Sequence, residues 1–139
     1  MEYRRFGSKI VARIDRGEEI LEQVKRIARE ENIAFASITA LGATNDFTVG
    51  VYHVEEKRYC ANEFRGDFEI VSLTGTIHAV NGDYYTHVHM SAGNDKAEVF
   101  GGHLNKAVVS ATCEMILDVI DASVDRRHDE ITGLNLFKF

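Results

Sequence analysis

From residue 33 to its end the chain reads as one strand-patterned segment after another, and it contains no proline anywhere. Proline removes a backbone donor and is confined to the edges of sheets, so a chain without it keeps every N–H available for pairing. The expected strands are Ile33–Leu41, Phe47–Glu55, Lys57–Phe64, Phe68–Ala79, Tyr84–Met90, Ala97–Phe100, Val108–Ile120 and Leu134–Phe139. In Phe47–Glu55, Phe47, Val49 and Val51 alternate with Thr48, Gly50 and Tyr52, the period of a pleated strand. Gly42 marks a turn or bulge. Turn chemistry separates other segments at Asn81-Gly82-Asp83, Gly93-Asn94-Asp95 and Gly101-Gly102. Phe137 and Phe139 are expected to finish an internal strand or to meet a neighbouring subunit.

One helix precedes these strands. Ile20, Leu21, Val24, Ile27 and Ala28 recur on a single helical face, and Glu18, Glu19, Glu22, Lys25, Arg26, Arg29 and Glu30 fill the wet side. Asp15 and Glu18 have the spacing of a capping box, and Asn32 is the expected stop. The fold class expected is therefore α+β, a mostly antiparallel sheet with a helix packed against it. No internal repeat excludes this, and 139 residues suit a single domain over 1–139.

Composition narrows the function. No apolar run is long enough to span a bilayer or to serve as a secretory signal, which predicts a cytoplasmic protein without membrane partners. Two cysteines, Cys60 and Cys113, are too few for a disulfide framework and make no CxxC pair, so a cysteine zinc finger is excluded. Cys113 lies in an apolar run and reads as a core residue. The net charge of −6 opposes duplex DNA binding unless the cations are gathered on one surface. Of the basic pairs, Arg126–Arg127 is flanked by Asp125, Asp129 and Glu130 and reads as a solvated loop.

The chemistry is concentrated in histidines. His87 and His89 are one residue apart within a strand, so both rings point to the same face. Their Cα atoms stand roughly 6.5–7 Å apart. His103 follows Gly101-Gly102, and paired glycines let one backbone approach another without a Cβ clash. A hairpin between these segments brings His103 opposite the pair. Three imidazoles around one cation suit Zn²⁺, with Ni²⁺, Cu²⁺ and Fe²⁺ as alternatives, and leave a fourth position open for water or a small-molecule ligand. Ordinary polar residues on a wet strand face would give the same H-x-H spacing. Glu114 is the candidate catalytic residue: it shares a strand face with Ser110 and Thr112, as a carboxylate that orients an imidazole, accepts a proton, or simply faces solvent. Tyr84 and Tyr85 line a pocket or pack. His53, His78 and His128 have no comparable partners and read as structural or surface groups. No nucleophile arrangement, phosphate loop or dinucleotide fingerprint is present.

Four motifs in order carry a family resemblance: Ser37–Ala43 (SITALGA), Gly66–Ile77 (GDFEIVSLTGTI), the His87–His89 pair, and Phe100–Leu104 (FGGHL) followed by Val108–Glu114 (VVSATCE). Together they resemble the PPC (plant and prokaryote conserved) domain over nearly the whole chain. The resemblance implies a mixed α/β fold, a homotrimer, and histidines at 87, 89 and 103 that match those of the family. In plants the domain follows AT-hook motifs and mediates assembly and protein contacts; prokaryotic members are labelled DNA-binding. No AT-hook core is present here, and Asp67 stands where plant members carry a basic residue. The family is also similar in fold to a zinc-dependent acetolactate decarboxylase with three histidines. Two functions follow as expectations: a DNA-associated, regulatory, trimeric module with a zinc site, or a zinc enzyme acting on a small keto acid or carboxylate.

Overall fold

The computed structural model describes residues 1–139. A hairpin opens the chain, β1 (Glu2–Phe6) and β2 (Lys9–Asp15), turning at Gly7. Ile10, Ala12 and Ile14 alternate inward along β2. Helix α1 (Ile20–Glu30) follows. Its N-cap is Glu19, whose carboxylate accepts from the backbone N–H groups of Glu22 and Ala107. The expected Asp15–Glu18 box closes a turn one step earlier, where the Glu18 carboxylate accepts from the Asp15 N–H. A second carboxylate at position 19 sits one residue nearer the helix and reaches its free N–H groups first. Asn32, in the left-handed region at φ 51°, ends the helix as expected.

The remaining segments fuse into fewer, longer strands than their patterns predict. They are β3 (Phe35–His53), β4 (Arg58–Val80), β5 (Asp83–Gly93) and β6 (Val99–Val119). Gly42 is a bulge inside β3, with a φ of 154° that residues with side chains rarely adopt. At a second irregularity, between Thr44 and Asp46, the inward set changes from Ala36, Ile38 and Thr44 to Phe47 and Val49, so both halves of one long strand bury a face. Gly101-Gly102 is not a turn but lies within β6, opposite Ser91 and Met90; the chain reverses at Asn94–Ala97 instead.

The sheet runs β1-β2-β6-β3-β4-β5, and β5 pairs again with the start of β6. Strands β6, β3, β4 and β5 thereby close a ring, all of it antiparallel. One cluster of 24 buried apolar residues fills the inner side, with α1 contributing Ile20, Val24, Ile27 and Ala28. Cys113 belongs to this core, and burial pushes its thiol up to about 12.

The C-terminal residues depart from expectation. β7 (Asp125–His128) and β8 (Asn135–Lys138) pair only with each other. Phe137 packs on Phe35 and His78 from outside the main sheet, and Phe139 is fully exposed. Phe137 and Phe139 therefore finish no strand of the main sheet, because β8 pairs with β7 alone.

Candidate metal centre

Two features of the ring place three imidazoles together. Strand alternation puts His87 and His89 on the outer face of β5, with Val88 and Met90 turned into the core. Register then sets His103 of β6 directly opposite His89. At that point β6 leaves β5 and passes to β3, pairing His103 with Gly50. The crossing demands close backbones. A Cβ on Gly102 would lie 2.6 Å from the Gly50 carbonyl oxygen, and one on Gly101 2.7 Å from that of Met90.

The ring centroids of His87, His89 and His103 are 5.3, 5.4 and 5.6 Å apart in pairs, and one nitrogen from each lies within 4.8 Å of the other two. In a tetrahedral zinc site such nitrogens stand about 3.4 Å apart, so side-chain rotation suffices to bring them onto one ion. No carboxylate or thiolate belongs to the cluster. Burial, followed by the positive charge of neighbouring His103 and of Arg126, lowers the pKa of His87. Burial and then His89 lower that of His103. Neutral imidazole is the form that binds metal, and both shifts favour it. The donor set fits a divalent transition ion with a position left open.

Sequence reasoning missed two neighbours. Tyr59 packs edge-on against His103, with ring centroids 6.0 Å apart. Its hydroxyl donates to Asn105 Oδ1 at 2.6 Å and lies 3.2 Å from the His103 carbonyl oxygen. The signal was the strand parity of Lys57–Phe64, which places Tyr59 and Ala61 beside Gly50 on the outer face. Arg126 is the second. It is half-buried in β7, not part of a solvated loop, because its guanidinium lies 4.4 Å from the ring centroids of both Tyr85 and Phe137. Alternation along β7 leaves Arg127 facing away.

The other candidates separate. Tyr84 donates to the Ala28 carbonyl oxygen and ties β5 to the helix, while Tyr85 supports Arg126. Glu114 stands exposed on β6 between Leu41 of β3 and Arg13 of β2. It shares the outer face with the histidines but lies three strands from His89, about 14 Å across the sheet. Within one chain it does not meet them.

His78 is wholly buried, receives Arg126 Nε at 3.1 Å, and leaves Nδ1 without a partner. Burial first, then the charges of Arg126 and His87, hold its pKa below the ordinary value of about 6.5. The unfolded chain takes up this proton near pH 6.5 and the folded chain only at lower pH. Stability from this group is therefore full above about 6.5 and is lost as pH falls through the lowered value. Thermal melts should show a lower Tm at pH 5 than at pH 7.5, and His78→Gln should narrow the gap. An equal gap in both proteins would assign the effect to other groups.

The family model for the Plants and Prokaryotes Conserved (PCC) domain matches residues 1–121. The fold is similar to that of a candidate DNA-binding protein from Bacteroides thetaiotaomicron, at 28% identity and TM-score 0.95, covering 99% of this chain and 96% of that one. It is also similar to a metal-containing protein from Archaeoglobus fulgidus, at 33% identity and TM-score 0.87, covering 99% and 97%. Acetolactate decarboxylase from Bacillus subtilis shares the fold at 16% identity and TM-score 0.56, with 79% of this chain matching 51% of that one. No curated protein matches.

Proposed function

The chain belongs to the Plants and Prokaryotes Conserved (PCC, or PPC) domain family, and from that premise we propose that it is a self-associating regulatory module built around a divalent metal centre. His87, His89 and His103 hold the ion, and zinc is the ion the three imidazoles suit best. The observation that carries this reading is the convergence of three imidazoles with no protein group in the fourth place. It is supported by a relative from Archaeoglobus fulgidus that contains metal. The test is metal content per chain, by elemental mass spectrometry, in the wild type and in a variant with all three histidines replaced by alanine. One ion per chain, lost in the variant, is expected.

Residues 1–139 act as one domain in the cytoplasm on this reading. No helix is long and apolar enough to cross a membrane. Self-association as a trimer is supported by the outer face of the sheet. Val11, Ile116, Thr39, Thr74 and His89 form one cross-strand row there, and Val11, Leu41, Val71 and Ile116 are 46–60% exposed. An apolar strip that ends at the histidines fits an interface between copies. Glu114 lies on this strip, where a second copy would cover it. Ile116→Asp is expected to reduce the mass measured by light scattering to that of a monomer without changing the circular dichroism. An unchanged mass would remove this face from the assembly.

Association with DNA rests on relatives such as the one from Bacteroides thetaiotaomicron. Against it, the charge is −6 and many cations are paired, among them Arg5 with Glu31, Arg58 with Glu56 and Lys106 with Asp46. Gel shifts against salt decide the matter, because phosphate-driven binding weakens steeply as salt rises. The open fourth position favours a second reading, a metal enzyme for a small keto acid or carboxylate. When bound, the ion would polarise a carbonyl or activate water.

A further inference from the structure

Residues 122–139 lie beyond the segment that the family model matches, and they include the β7–β8 ribbon. This ribbon packs against the histidine-bearing face and leaves His87 and His89 exposed. At its base, Arg126 and Phe137 are directly opposed and pack on Tyr85, His78 and Phe35. Tyr85 is one pleat before His87 on the same face. At the tip, Lys57 Nζ donates to the Glu130 carbonyl oxygen at 3.0 Å, and a Cβ on Gly133 would lie 2.8 Å from the Tyr52 hydroxyl. Tyr52 is one pleat after Gly50, the partner of His103. The ribbon is thus fastened on both sides of the three histidines.

One charge along this span lacks a partner. Arg126 donates Nε to His78 and Nη1 to the Asn135 carbonyl oxygen at 2.5 Å, while Nη2 is buried with no acceptor. His78 accepts at Nε2, so its proton sits on Nδ1, which is buried and unpartnered as well. No carboxylate pairs with Arg126 within 4.0 Å. Buried donors of this kind mark the place of an absent acceptor. The histidine cluster points to the same chemistry. Its donors are neutral imidazoles only, so a bound dication keeps its full charge and favours an anionic ligand in the open position.

We propose that the ribbon walls one side of the histidine site, that the site takes a small carboxylate-bearing ligand, and that Arg126 grips the carboxylate. This rests on the metal reading above. Because Nη2 is buried, the carboxylate reaches it as the base of the ribbon shifts. Arg127, on the opposite face of β7, takes no part.

The test is a visible-absorption titration of the Co²⁺-loaded full chain with pyruvate and with its uncharged methyl ester. Wild type is expected to bind pyruvate more tightly than the ester. Arg126→Gln should raise the pyruvate Kd about 10- to 100-fold and erase that preference, the loss expected for one charge-assisted pair. Arg126→Lys keeps the charge without the fork and should weaken binding several-fold; it carries the comparison if the glutamine variant does not fold. Arg127→Gln should match wild type. Cobalt content should stay at one per chain throughout. A wild type that takes up no cobalt overturns the metal reading and this proposal with it. Cobalt uptake with no response to pyruvate, or a pyruvate Kd that Arg126→Gln and Arg126→Lys leave unchanged, overturns this proposal alone.

Discussion

Phe47→Ala should cost about 3–5 kcal/mol, the range for removing a buried aromatic ring from a packed core. For a chain of this length that lowers Tm by about 10–17 °C. Phe47 is wholly buried where β3 enters the ring of strands. Its ring stacks on Phe64 at 4.9 Å and meets Phe68 edge-on at 5.0 Å, and Phe64 stacks in turn on Phe100 of β6. Deleting it leaves a cavity bounded by the Phe64 and Phe68 rings, which cannot collapse without moving β4. Differential scanning calorimetry checks the figure. A loss under about 1 kcal/mol would mean that the four aromatics do not share one core.

Gly102→Ala should be the second-largest effect, and it should reach the site as well as the fold. The added methyl meets the Gly50 carbonyl oxygen at 2.6 Å and its carbonyl carbon at 3.2 Å. Both are backbone, so no side chain can swing aside. The residue's φ is not positive, so the cost is steric rather than conformational. Overpacking of this kind costs about 1–3 kcal/mol. Strands β6 and β3 must separate next to His103, which draws its imidazole away from His87 and His89. A lower Tm together with weaker Co²⁺ binding is expected. Full metal affinity in a destabilised variant would show that His103 is not needed for the centre.

Much of the centre was legible before any coordinates. Alternation alone fixes that His87 and His89 share a face, and the glycine pair before His103 announces a close backbone approach. The pattern located Gly101-Gly102 as a turn because two glycines in sequence look the same whether a chain reverses or two strands cross. Only pairing distinguishes these cases. The long strands were read as pieces for a similar reason, since a bulge such as that at Thr44–Asp46 breaks the period of two while leaving the strand continuous. Arg126 was invisible because its environment comes from Tyr85, His78 and Phe137, residues far apart in sequence. Glu114 was correctly placed on a mixed strand face, but distance across the sheet is set by strand order, which periodicity does not contain.

The most direct measurement is the metal content of the purified chain beside that of the His87→Ala, His89→Ala, His103→Ala triple variant, by elemental mass spectrometry. The account predicts close to one transition-metal ion per chain in the first and none in the second, with both proteins folded by circular dichroism. No metal in the wild type, or equal metal in both, would contradict it.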